Sequence, residues 1–295
     1  MRRQPPRRRL PRFAAERHRN LPRSRDTGGH SCLRFFQCTS VACFRTLSLM
    51  ADHSAIEWTE STWNPTTGCT KVSPGCDRCY AERMTRRFPN GFPNGFDLTM
   101  REAALELPLR WKRPRTIFVN SMSDLFHADV AESYIARVFD VMVRTPQHTY
   151  QVLTKRAVRL AELAPRLPWP SNVWMGVSVE TPAYTWRIDY LRRTHAAVRF
   201  VSAEPLLAAL PALNLDGVHW LIAGGESQSG ARSAETPWFA DLRDQCTKAG
   251  VAFFLKQLGG HPSKRGGDAA LLEGRRWIDL PIIHQTESLV AHRAQ

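Results

Sequence analysis

Ile117-Phe118-Val119-Asn120-Ser121-Met122-Ser123-Asp124 is a short β-branched and aromatic run that ends abruptly in polar residues. Apolar residues at helical spacing follow from Ala131 to Val143, and Tyr150-Gln151-Val152-Leu153-Thr154 is the next apolar run. Strand, helix, strand in that order, with room for a crossover, is a parallel βαβ unit. The pattern then repeats. Arg156 to Leu163 reads as helix, Val173 to Val179 as strand, Tyr184 to Arg193 as helix and Val198 to Val201 as strand. His219 to Ala223 is a further strand, Pro237 to Ala249 a helix, and Val251 to Lys256 a final strand. One more strand is expected near Ile56–Thr59. Seven βα units predict an α/β fold, a complete or partial parallel (βα) barrel. A doubly wound sheet is the alternative, but no glycine-rich dinucleotide fingerprint or phosphate loop supports it.

In such a barrel, chemistry collects where strands end. The expected strand ends are Asn120 to Asp124, Thr154-Lys155-Arg156, Ser178-Val179-Glu180, Ser202-Ala203-Glu204-Pro205, Gly224-Gly225-Glu226-Ser227 and Lys256-Gln257. Any one of these could be a helix cap. Three glutamates together, Glu180, Glu204 and Glu226, call for cations, a metal or a hydrogen-bonding ligand to offset their repulsion. Lys155 and Lys256 are the candidate partners, and Gly224 and Gly225 allow a close backbone approach.

The loop after the first strand carries Gly68-Cys69-Thr70-Lys71-Val72-Ser73-Pro74-Gly75-Cys76-Asp77-Arg78-Cys79-Tyr80. Three thiols so close together are not ordinary core cysteines. A structural zinc site takes four protein ligands, usually two Cys/His pairs, and here there is one close pair and no histidine; His53 and His127 are the nearest. A four-iron cluster on Cys69, Cys76 and Cys79 leaves one iron open and is the favoured reading. A zinc ion completed by a remote residue and unligated redox thiols are the other two.

The 295 residues are 43% hydrophobic with a net charge of +14, but the charge is not evenly spread. Residues 1–49 hold twelve Arg, no Lys and two acids, while residues 50–295 hold 29 basic and 25 acidic residues. The Arg/Pro-rich 1–49 segment is expected to be a disordered extension outside the native fold, lying upstream of a true start at Met50; a basic arm and an organellar transit peptide are the alternatives. Its Cys32, Cys38 and Cys43 are not counted as ligands, and Cys246 reads as a core residue of a helix. Residues 50–295 are then expected to form a single barrel-like domain. No apolar run reaches the length of about eighteen residues that a membrane helix needs. Clustered reduced thiols point to a reducing, cytoplasmic compartment. A basic and aromatic patch, Arg110-Trp111-Lys112-Arg113-Pro114-Arg115, could contact nucleic acid, although a solvated loop entering a strand is favoured.

The cysteine loop, with Ile56-Glu57-Trp58-Thr59 and Thr62-Trp63-Asn64-Pro65, resembles the phage-associated three-cysteine-motif proteins, a domain of unknown function. Gly176 to Glu180, Ser202 to Leu206, Gly224 to Ser227 and Phe254 to Gln257 match in the same order, so the resemblance spans about Ser54 to Leu258. That family is similar to divergent radical S-adenosylmethionine enzymes. The resemblance implies a 4Fe-4S cluster on Cys69, Cys76 and Cys79 and S-adenosylmethionine as cofactor. One-electron reduction would cleave that cofactor to a 5′-deoxyadenosyl radical. Glu180, Glu204, Gly224, Gly225, Glu226, Lys155 and Lys256 are the candidate cofactor-binding residues, the catalytic residues are unassigned, and an electron donor and a phage-encoded partner protein are implied. The cysteine spacing, six then two, departs from the three then two usual in that superfamily, and Tyr80 follows the third cysteine instead of preceding it. The competing class is a non-catalytic, metal-stabilised nucleic-acid-binding or phage accessory protein.

Overall fold

The computed structural model describes residues 50, 51, 54, 56–260 and 265–282, with only the backbone described at 50 and 51. The expectations for residues 1–49, including Cys32, Cys38 and Cys43, and for His53 lie outside the described residues.

The order of elements follows the predicted alternation. The main sheet contains β1 (Met50–Ala51), β2 (Ser61–Trp63), β5 (Thr116–Val119), β6 (Thr149–Thr154), β7 (Val173–Ser178), β8 (Val198–Ala203), β9 (Trp220–Gly224) and β10 (Ala252–Gln257), hydrogen-bonded in that order. β1 runs antiparallel to β2, and every other pair is parallel. β3 (Thr66–Thr67) and β4 (Thr99–Met100) form a separate two-stranded ribbon. Six helices are described: α1 (Tyr80–Arg87), α2 (Glu102–Leu105), α3 (Glu132–Arg144), α4 (Ala157–Leu163), α5 (Arg187–Leu191) and α6 (Thr236–Ala249). Seven parallel strands curl into a half-barrel. Among the described residues the sheet does not close. Beyond β10, single antiparallel bridges from Phe254 to Ile278 and from Gln257 to Gly266 cover its outer edge.

Covered on both faces, the strands read as continuous apolar runs rather than alternating ones. All six residues of β7 are buried. The outer face packs on the helices through Ile117, Val119, Tyr150, Val152, Met175 and Val177 with Ile135, Phe139 and Leu160. The concave face holds a separate aromatic cluster of Trp58, Phe118, Trp174, Phe200, Trp220 and Phe254. Gly176 is where β7 yields to this cluster, since a Cβ there would lie 2.4 Å from the Phe200 ring.

Two elements differ from the sequence expectation. The strand expected at Ile56–Thr59 is instead a turn, closed by Thr59 N–H to Ile56 O, and the pairing strand is Ser61–Trp63. The turn lets Trp58 enter the concave cluster while Trp63 packs on the outer core. The helix expected from Tyr184 to Arg193 is shortened to Arg187–Leu191, with a 3₁₀ turn at Pro182–Tyr184 ahead of it. Cys246 is fully buried on α6, and burial pushes its thiol up to about 12. Among the described residues no helix is long and apolar enough to cross a membrane.

Candidate metal centre

The cysteine loop lies over the C-terminal ends of the strands, held from both flanks. Gly68 has a left-handed backbone (φ +81°), and a Cβ there would lie 2.1 Å from the Asp97 carbonyl, so glycine is required. Ser123 Oγ donates to Gly68 O (2.6 Å), and Cys69 N–H donates to Phe96 O (3.1 Å). The stretch Pro89-Asn90-Gly91-Phe92-Pro93-Asn94-Gly95-Phe96 carries the same four residues twice, and its two phenylalanines pack against the loop. Phe92 is buried and Phe96 half-buried, packed with Cys79, Ala81 and Met122.

Cys69, Cys76 and Cys79 are half-buried and open onto one cavity of about 500 Å³. The same cavity is lined by Asn120, Asp124, Lys155, Ser178, Ser202, Glu204, Gly225, Glu226 and Lys256, with Ile56, Trp58, Phe118 and Leu153 as its apolar floor. Of the sequence-predicted cofactor residues, Lys155, Glu204, Gly225, Glu226 and Lys256 meet here, and Glu180 and Gly224 do not line it.

The reason lies in three arginine–carboxylate pairs that clamp the cysteine loop. At the first, Arg156 Nη1 donates to Asp124 Oδ2 (3.1 Å) and to Cys69 Sγ (3.4 Å), and Nη2 donates to Thr70 O (3.0 Å). His127 Nε2 sits 2.8 Å from Thr70 Oγ1. At the second, Glu180 is fully buried. Its Oε1 accepts from Ser73 Oγ (2.8 Å) with Lys155 Nζ 3.4 Å away, and its Oε2 accepts from Arg187 Nη1 (2.9 Å). At the third, Arg232 donates through Nη2 and Nε to both oxygens of Glu226 (2.6 and 3.1 Å) and through Nη1 to Pro74 O (2.9 Å). Arg78 Nη1 lies 3.5 Å from Glu226, and Gln228 donates to Arg78 O.

Glu204 is different. Among the described residues, no hydrogen bond or ion pair joins it to the loop. Its Oε1 accepts from Lys256 Nζ (2.5 Å) and Gln257 Nε2 (3.2 Å), and this pair faces the cavity. The two glycines beside it approach the protein itself. A Cβ on Gly225 would lie 2.5 Å from Leu258 O, and one on Gly224 would lie 3.1 Å from the Glu204 carboxyl.

Electrostatics follow from these contacts. Burial pushes the Cys69 thiol up to about 11; Asp124 adds to the rise and Arg156 opposes it. Burial alone would raise Glu226, but hydrogen bonds from the Arg232 side chain and backbone, and the charges of Arg232 and Arg78, hold it below the usual carboxylate range. A depressed carboxyl contributes stability that is present above its unfolded pKa and lost as pH falls through the folded value. The urea midpoints of the parent and Glu226→Gln are therefore expected to differ at neutral pH and to converge below the ordinary carboxylate range. A constant gap would place the effect elsewhere.

Gly75 gives a further test. A Cβ there would lie 2.5 Å from Glu180 Oε1, which is pinned and cannot swing away. Gly75→Ala is expected to cost about 1–3 kcal/mol through overpacking. It should also speed alkylation of Cys69, Cys76 and Cys79 in the metal-free protein.

Three thiols with no imidazole in their loop are the donor chemistry of an iron–sulfur cluster. Among the described residues, no group of three or more His, Cys, Asp or Glu side chains stands in an arrangement that could hold a metal ion. The donor chemistry suits a cluster.

The basic and aromatic stretch 110–115 falls away from this cavity, before the N-terminal end of β5. Trp111 packs on the core, 5.9 Å edge-on from His148, with the Arg115 guanidinium 4.5 Å over its ring. Its outer face is thus taken by the protein's own cation.

No curated protein matches the chain. Two solved structures are similar to it at 12% identity and TM-score 0.42. One is a spore photoproduct lyase complexed with dinucleoside spore photoproduct, covering 74% of this chain and 72% of that one. The other is a mutant of spore photoproduct lyase with bound AdoMet and the same dinucleoside, covering 77% and 72%. The model of a family described as protein of unknown function (DUF5131) matches residues 53–281, and the chain belongs to that family.

Proposed function

We propose that this protein is an iron–sulfur enzyme of the radical S-adenosylmethionine type, acting on a substrate held in the half-barrel. One observation carries the reading: the three thiols and the strand-end polar groups open onto the same cavity. Cys69, Cys76 and Cys79 would hold three irons of a 4Fe-4S cluster. When bound, the cluster supplies one electron to the sulfonium cofactor.

The chain's own residues bind and orient. Glu204 is suited to accept from an amino group or ribose hydroxyls, and Lys256, 2.5 Å from it, to donate to a carboxylate. Trp58, Phe118 and Leu153 form an apolar floor against which a planar group can lie. Glu180 and Glu226 are committed to the loop, so their role is to place the thiols rather than to touch the cofactor.

Anaerobic reconstitution with iron and sulfide tests the reading. A broad visible absorption and about four irons per chain are expected. Cys69→Ala, Cys76→Ala and Cys79→Ala should each abolish it, and Cys246→Ala should not. In calorimetry, Glu204→Gln is expected to keep the cluster and to weaken S-adenosylmethionine binding by about 1.5–3 kcal/mol, roughly ten- to a hundredfold. A colourless protein carrying one zinc, or a reconstituted cluster with no S-adenosylmethionine binding, would overturn the proposal.

A further inference from the structure

Beside the mouth of the cavity, α1 presents a surface that the fold leaves uncovered. Only Ala81 and Thr85 of this helix are buried. Tyr80 and Met84 are one turn apart on the helix, and Phe88 follows at its C-cap, its N–H bonded to Met84 O. All three are open to solvent, at 50%, 38% and 46%. Apolar side chains at this spacing normally face a core; here the stripe faces outward. Tyr80 is fixed at the cavity end of it, donating its hydroxyl proton to Ser121 O, and Tyr80 and Arg78 also line the cavity.

Positive charge borders the stripe. Lys71, Arg78, Arg83, Arg86 and Arg87 are all exposed. Against them stand Asp77 and Glu82, and Glu82 is already paired with Arg86 (2.5 Å) and Lys71 (3.7 Å). Residues 71–88 therefore carry a net charge of +3, most of the +4 of the whole chain from residue 50 onward. The Arg87 guanidinium lies 5.4 Å from the Phe88 ring centroid, which leaves that ring bordered by a cation.

Aromatic rings for base stacking, spaced along a cationic track, are the components of a single-strand nucleic-acid platform. We propose that the α1 surface docks a single-stranded nucleic acid, with bases on Tyr80 and Phe88 and phosphates on Arg83, Arg86 and Arg87, so that the strand crosses the cavity mouth. An acidic protein segment would meet the same charges, but two exposed aromatic rings at the ends of the stripe favour bases. The inference stands on the surface alone and needs no cluster.

The experiment uses the full chain and a single-stranded 12-mer of DNA containing 5-iodouracil, without reconstitution. Irradiation is expected to cross-link the oligonucleotide to the peptide that holds Tyr80 or Phe88, and Phe88→Ala to lower the yield severalfold. In parallel, Arg83→Ala/Arg86→Ala/Arg87→Ala changes only exposed side chains. It should reduce the slope of log affinity against log salt by about 2, since each lost phosphate contact on a single strand contributes about 0.7. The Arg-rich residues 1–49 are common to parent and variant, so the difference in slope reads the α1 surface alone. Cross-links confined to residues 1–49, an unchanged slope, or polyglutamate competing as well as the oligonucleotide would each overturn the proposal. The last would assign the surface to an acidic protein.

Discussion

Arg187→Ala is expected to destabilise the fold by about 3–5 kcal/mol, the cost of leaving a buried carboxylate without its partner. Glu180 and Arg187 are both essentially inaccessible, and Arg187 Nη1 also donates to Ser178 O (2.8 Å). Lys155 Nζ, 3.4 Å from the other oxygen and partly exposed, can offset only part of the loss. Because Glu180 also accepts from Ser73, the effect should spread to the cysteine loop. Urea denaturation measures the first consequence, and alkylation rates of Cys69, Cys76 and Cys79 the second. The double variant Glu180→Gln/Arg187→Met removes both charges. It should recover a large part of the lost stability while the loop stays loose. A single variant costing under about 1 kcal/mol would mean that the pair is hydrated and that its burial is misread.

Trp220→Ala is the second large effect. Trp220 is fully buried at the centre of the concave cluster. Its ring lies 6.1 Å from Trp58, 6.1 Å from Trp174, 5.8 Å from Phe200 and 6.1 Å from Phe254. Its Nε1 donates to Asp279 O (2.9 Å), which ties the segment after β10 to the barrel. Removing the indole leaves a cavity that the four surrounding rings cannot close, for a cost of about 3–5 kcal/mol. Trp58 forms part of the floor of the thiol cavity, so the loss should also make that floor mobile. Measured by urea unfolding, Trp220→Phe should retain more than half of the difference. Equal losses in the two variants would show that size and packing are not what the site requires.

The alternation of strands and helices after residue 116 was legible in the residues alone. Parallel strands covered on both faces must be apolar throughout, and β5 to β10 are close to where their apolar runs place them. Also legible were the gathering of polar groups at the strand ends and the three thiols in one loop. The short strand at Ser61–Trp63 was not legible, because three residues carry no period and the aromatic Trp58 nearby drew the expectation to Ile56–Thr59. The partners of the three glutamates came only from the folding of the chain. Ser73 and Glu180 are 107 residues apart, Cys69 and Arg156 are 87 apart, and Pro74 and Arg232 are 158 apart. A glutamate at a strand end looks the same in sequence whether its partner is a ligand or an arginine brought back by the next crossover. Only the curl of the sheet, which carries the strand ends over one mouth, commits Asp124, Glu180 and Glu226 to holding the cysteine loop and turns Glu204 with Lys256 toward the cavity.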